Sequence, residues 1–170
     1  MSIREILTTP HPVLRGKAKK ITQFDDELNA LINDMIETMR DAPGVGLAAT
    51  QVNAPLRIFV AEFGDENDAD APLRLYTFVN PKITKTSRET VSGVEGCLSV
   101  PGIVGEVIRP HAVTVTGFDR DGNPITVAAE GWLARIFQHE IDHLNGVLYT
   151  DHALSVWESE GEVSQVSSAA

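Results

Sequence analysis

The run His139-Glu140-Ile141-Asp142-His143 constrains this chain more than any other feature. On a helix, histidines four residues apart face the same way and can share one metal ion, while Glu140 lies beside them to work on water. The fold must therefore carry a helix near its C-terminal end and deliver a third ligand to it. In the usual zinc-peptidase arrangement that ligand lies downstream, but only Asp151, His152, Glu158 and a short acidic tail follow. The single cysteine, Cys97, is the better candidate, and it lies far upstream, so the chain has to fold back on itself. HExxH arises by accident in on the order of one in a hundred chains of this composition, and the competing reading is an ordinary charged helix face.

At 170 residues the chain fits one domain, long enough to bury a core without disulfides or a structural metal. A metal is then expected to be catalytic rather than structural. One cysteine excludes an intramolecular disulfide framework, and the start, Met1-Ser2-Ile3-Arg4-Glu5, lacks the apolar core of a signal peptide. No apolar run approaches the roughly eighteen residues of a membrane span. The expectation is a soluble protein in a reducing compartment, most simply the cytoplasm, where a lone thiolate survives as a ligand. A net charge of −10 argues against direct, specific nucleic-acid binding, which needs a basic face. Arg15, Lys17, Lys19 and Lys20 form the one basic cluster and leave room for a small docking patch.

Along the chain, Pro10-His11-Pro12-Val13-Leu14-Arg15 reads as an extended entry, with His11 a packing or surface residue. From Asp25 to Arg40, Leu28, Leu31, Ile32, Met35, Ile36 and Met39 follow the three-and-four spacing of an amphipathic helix, ended by Pro43, Gly44 and Gly46. Residues 57–60 and 73–79 read as strands, separated by a solvated acidic loop, Gly64 to Asp70, whose spacing does not fit an EF-hand. Val113, Val115 and Gly117 alternate with threonines, and the turn residues 119–124 return the chain as a hairpin through Ile125 to Ala129. Trp132, Leu133, Ile136, Phe137 and Leu144 place HEIDH on an amphipathic helix opening near Glu130-Gly131 and stopping at Asn145-Gly146.

Three separated segments carry residues that make sense together. Gly44-Val45-Gly46-Leu47-Ala48-Ala49-Thr50-Gln51 lets the backbone approach a ligand closely and offers an amide donor, Gln51, although a glycine turn feeding a buried element explains such a run equally. Glu95-Gly96-Cys97-Leu98-Ser99-Val100-Pro101 holds the thiol in a tight segment, and Gln138 to His143 supplies the imidazoles. GVGLAATQ, EGCLSV and QHEIDH, in this order and spacing, resemble the peptide deformylases, as do the HPVLR entry and the DRDG hairpin. The resemblance runs from about Ile3 to Asp151.

It implies an α+β fold with a mixed, largely antiparallel sheet packed around a central metal-binding HExxH helix. It also implies Cys97, His139 and His143 as metal ligands, Glu140 as general acid/base, and Gln51 with the Leu98 N–H as oxyanion donors. One divalent ion is expected, Fe(II) by resemblance, while thiolate and imidazole ligation also suits zinc, nickel or cobalt. The implied reaction removes the N-formyl group from the N-terminal formylmethionine of newly made polypeptides, releasing formate. A cramped site lined by Gly46, Leu98 and the metal would admit a formyl group and exclude larger acyl groups. Methionine would enter an apolar pocket drawn from Val45, Trp132, Ile136 and His139.

Trp132 stands where many relatives carry a smaller aliphatic residue, and the segment around Glu158 to Glu162 is acidic where many bacterial relatives continue into a basic helix. A transient ribosome association fits the family, but contact through such a helix does not carry over, since RNA phosphate repels acidic chain. The expected organisation is one catalytic domain over residues 1–154 and a flexible acidic tail over 155–170. The alternatives are a zinc endopeptidase and an inactive, deformylase-like metal-binding module.

Overall fold

The computed structural model describes residues 2–159. Helix α1 spans Asp26–Asp41 and buries Leu28, Leu31, Ile32, Met35, Ile36 and Met39, the stripe that the spacing predicts. Asp25 caps its start, accepting the Leu28 N–H at 2.9 Å and so satisfying one of the donors that a helix start leaves open. At the other end the Gly44 N–H returns to the Met39 carbonyl at 2.7 Å, and the chain turns into strand β1, Gly46–Ala48.

A single helical turn, Ala49–Val52, follows, and then strands β2 (Ile58–Phe63) and β3 (Arg74–Thr86). A long hairpin comes next, β4 (Thr90–Cys97) and β5 (Val100–Pro110), before β6 (Ala112–Phe118) and β7 (Pro124–Glu130). The β6–β7 turn is the expected one: Asp119 Oδ1 accepts from the Asp121 and Asn123 N–H groups at 2.9 Å, and Gly122 takes φ 86°. Helix α2, Gly131–Leu144, carries HEIDH and is followed by a turn, Tyr149–Asp151, and strand β8, Ser155–Glu158.

The strands form two antiparallel sheets, a five-stranded one in the order β1-β2-β3-β6-β7 and a three-stranded one in the order β4-β5-β8. The α+β, antiparallel expectation holds. Its division into two sheets is a structural finding. The strand β8 also departs from expectation: the sequence places residues 155–158 in a flexible tail, and they pair instead with Ile103–Glu106 of β5. The remainder of that expected tail, from 160 onward, lies outside the described residues.

Alternation along β2 explains how the layers stack. Ile58 and Val60 belong to the core beneath α1, whereas Phe59 and Ala61 belong to the core beneath α2, where Phe59, Phe78 and Phe137 meet at centroid distances of 5.1–5.6 Å. The five-stranded sheet is thus covered by one helix on each face. The far side of α2 meets the three-stranded sheet, with Arg135 bonded to the Val107 and Val91 carbonyls and Gln138 to the Pro110 carbonyl. HEIDH is therefore enclosed between the two sheets.

Candidate metal centre

Cys97 ends β4, and a two-residue turn, Leu98-Ser99, leads into β5, where Val100 pairs back with Cys97. This tight reversal fixes the thiol against α2, with Sγ 3.3 Å from Nε2 of His143. Ligand atoms of Cys97, His139 and His143 all lie within 4.8 Å of one another, and all three residues are buried. The helix supplies the imidazoles from one face, as the spacing requires. Tyr149 stacks on His139 at a centroid distance of 6.0 Å and is anchored by its hydroxyl donating to the Ile103 carbonyl at 2.8 Å.

Several features fit this triangle to a divalent cation. His139 Nε2 is buried without a hydrogen-bond partner among the described residues, as a nitrogen kept for an ion would be. Nδ1 of His139 lies 2.8 Å from Glu95 Oε1, the carboxylate contact that commonly orients a metal-binding imidazole and leaves the other nitrogen to the ion. Burial pushes the Cys97 thiol up to about 12, outweighing hydrogen bonds from the Ser99 and Val100 N–H groups, with the Glu140 charge adding to the rise. Burial likewise holds His143 well below its ordinary value, reinforced by charge on His139 and Arg109, so it stands ready as a neutral ligand. A thiolate at this depth needs a cation beside it, and one sulfur with two imidazole nitrogens is a set that borderline transition metals accept.

Beneath the triangle lies a buried ionic network. Glu95 accepts from Arg109 at 2.6 and 2.9 Å and from Arg135 at 2.6 Å, while Arg109 also reaches Asp142 at 2.9 Å. Burial by itself would raise the Glu95 carboxyl, but the His139 and Arg109 hydrogen bonds and charges overcome it and hold the group far below the usual carboxylate range. These charges balance, as a buried cluster requires.

The remaining expected residues fall around this centre. Glu140 is fully buried, and its carboxylate lies against the backbone of β1: a Cβ added at Gly46 would sit 2.5 Å from Glu140 Oε2. Gln51, on the turn after β1, accepts the Ala48 N–H at 3.0 Å and turns its amide nitrogen to Ser99 Oγ at 3.0 Å and Cys97 Sγ at 3.7 Å. Leu98 follows Cys97 directly and approaches Gly44. Val45 and Trp132 line a groove whose far side is the acidic loop, with Glu66 Oε1 accepting the Trp132 N–H at 3.2 Å. Ile136 is 1% exposed and sits in the core against which Val45 and Trp132 pack, without lining that groove. His11 caps the turn Pro12–Arg15 through the Val13 N–H and takes no part.

Sequence reasoning passed over Arg109 and Arg135, and it used Glu95 and Asp142 only as letters of their motifs. A signal existed for Arg135, which occupies a position four residues before His139 on the buried side of α2.

The polypeptide deformylase family model matches residues 3–158. The chain is 47% identical to the peptide deformylase of Brucella suis over 152 residues, covering 89% of this chain and 85% of that one. Among solved structures, the peptide deformylase of Thermotoga maritima superposes with a TM-score of 0.84 at 39% identity, over 91% of this chain and all of that one. That of Ehrlichia chaffeensis in complex with actinonin gives 0.84 at 40% identity, over 91% of this chain and 90% of that one.

Proposed function

This chain belongs to the polypeptide deformylase family, and from that premise we propose that it hydrolyses the N-formyl group of formylmethionine at the start of newly made polypeptides. The observation that carries the reading is the buried Cys97, His139 and His143 triangle with the Glu140 carboxylate beside it, over a glycine that leaves room for nothing larger. One divalent ion held by those three side chains supplies Lewis acidity, making water more acidic and a carbonyl more electrophilic. Fe(II) is the proposed native ion, with zinc, nickel or cobalt able to take the same donors.

Glu140 takes the proton of the attacking water as the water oxygen bonds to the formyl carbon. Negative charge then builds on the former carbonyl oxygen, toward which the Gln51 amide and the Leu98 N–H donate. Losing one such donor costs about 3 kcal/mol in other hydrolases. The C–N bond breaks as Glu140 hands its proton to the leaving amine, giving formate and a free N-terminal methionine. Gly46 and Leu98 restrict the acyl site to a group as small as formyl, and the groove at Val45 and Trp132 receives the methionine side chain, with Ile136 supporting it from behind.

The catalytic unit in this reading is a single domain, proposed to extend through β8. Substrates are nascent chains, which makes the cytoplasm the proposed location and allows a transient encounter with the ribosome. Among the described residues no helix is long and apolar enough to cross a membrane. Formate release from a formyl-Met peptide, beside an acetyl-Met peptide and a longer unformylated peptide, is the test. Release from the first alone is expected. Internal cleavage of the third would favour a zinc endopeptidase, and silence on all three with metal bound would favour an inactive metal-binding module.

A further inference from the structure

We propose that Arg135 is a positioning residue that couples the wall of the methionine groove to the metal site. The inference rests on the function proposed above for its groove arm and on geometry alone for its metal arm.

The guanidinium of Arg135 has two neighbours with different tasks. Its Nη1 donates to Glu95 Oε2 at 2.6 Å, and the other oxygen of the same carboxylate holds His139 Nδ1 at 2.8 Å. Its face lies over the Trp132 ring, with Cζ 5.4 Å from the centroid, and Trp132 lines the groove with Val45. A continuous path of contacts therefore runs from the groove wall through one cation and one carboxylate to a metal ligand.

The surroundings leave this cation little freedom. Nη1 also donates to the Val107 carbonyl at 3.0 Å and Nη2 to the Val91 carbonyl at 2.8 Å, so both ends of the fork are tied to the three-stranded sheet. Gly93 lies directly beneath it, and a Cβ there would come within 2.8 Å of Cζ. Planar donors spread over two strands and a carboxylate suit arginine and not lysine, whose single ammonium cannot reach all of them while facing an indole.

Arg109 provides the internal comparison. It grips the same carboxylate at 2.6 and 2.9 Å, but its other contact is Asp142, away from Trp132. Loss of either arginine should loosen His139. Only loss of Arg135 should also free the groove wall.

The test uses Co(II) as a spectroscopic probe in Arg135→Met, Arg109→Met and Trp132→Leu. Each protein is read for Co(II) affinity by chelator competition, for its visible ligand-field spectrum, and for the ratio of kcat/KM on formyl-Met and formyl-Phe peptides. Arg135→Met is expected to weaken Co(II) binding about 10- to 100-fold, the range for an outer-shell partner of a metal-bound histidine, and to lower the Met-over-Phe ratio at least fivefold. Arg109→Met should weaken the metal without moving that ratio.

Trp132→Leu is decisive because Trp132 is not one of the three metal ligands and is partly exposed, so its replacement need not disturb folding. A shifted Co(II) spectrum and an affinity weakened about threefold or more in that variant support coupling. An unchanged spectrum and affinity overturn it, even if selectivity changes. Equal effects of Arg135→Met and Arg109→Met on all readouts also overturn it. The Co(II) arms need no substrate, so they stand even if no variant, nor the parent, releases formate.

Discussion

Helices α1 and α2 are nearly alike in length, 16 and 14 residues, and each presses an apolar stripe onto one face of the five-stranded sheet. Their buried polar content separates them. Helix α1 buries one polar side chain, Thr38, whose hydroxyl is satisfied locally by the Asp34 carbonyl at 2.7 Å. Helix α2 buries Arg135, Gln138, His139, Glu140 and His143. A helix that only packs has no use for such groups, since each buried charge costs several kcal/mol unless it is paired. In α2, Arg135 and His139 are answered across the interface by Glu95, Gln138 by the Pro110 carbonyl and His143 by Cys97, while the Glu140 carboxylate lies close against Gly46. The second sheet lets α2 carry this chemistry: it covers the side of the helix that would otherwise meet water.

If that contrast is right, the two helices should fail in different ways. The largest effect is expected for Glu140→Ala, with turnover falling about a thousandfold, roughly 4 kcal/mol in the barrier, at unchanged melting temperature and metal content. A variant within tenfold of the parent would remove Glu140 from proton transfer. Met35→Ala, on the fully buried stripe of α1, should instead cost about 3 kcal/mol of stability while kcat/KM of the folded protein stays within about threefold. Denaturant unfolding beside steady-state kinetics reads both numbers, and a catalytic collapse there would erase the distinction between the helices.

Smaller effects sharpen the boundary. Gly46→Ala sets a methyl 2.5 Å from Glu140 Oε2, so the carboxylate must move, and turnover should fall about tenfold to a hundredfold with metal retained. Loss of metal instead would show that β1 supports the ligands and not the base. Truncation after Leu154 removes β8, which pairs with β5 at the edge of the three-stranded sheet. It should leave kcat/KM within about threefold and lower the melting temperature by about 2–4 °C, equivalent to roughly 1 kcal/mol. A large kinetic loss at constant stability would extend the site beyond α2.

The two helices were also unequally legible. The α1 stripe and the HEIDH face can be read from spacing, because a helix shows its buried side every three or four residues. The β4–β5 hairpin cannot, since Gly93, Gly96, Gly102, Gly105 and Pro101 interrupt any alternation. Packing explains two of these glycines: Gly93 makes room for the Arg135 guanidinium and Gly105 for the approach of β8. Glu95 is visible as a letter of its motif, but its partners are not, because the pairing of Glu95 on β4 with Arg109 on β5 and Arg135 on α2 has no signature in any local pattern. Strand β8 is illegible in the sequence for a related reason. Four residues of strand that lie exposed on a sheet edge, Val156 and Trp157 included, carry too little pattern to be separated from disordered chain.

That short edge has a consequence for solubility. Strand β5 runs for 11 residues, and β8 saturates the backbone donors and acceptors of its outer side at Ile103–Glu106. An unsaturated strand edge is a template on which a second chain can add itself. Among the described residues the sheet ends at these four, Ser155 at one end and Glu158 at the other, so over Ile103–Glu106 the edge presented is brief and partly charged. The value of β8 should therefore be felt at high concentration, in whether copies of the chain remain apart, more than in anything a single molecule does in dilute solution.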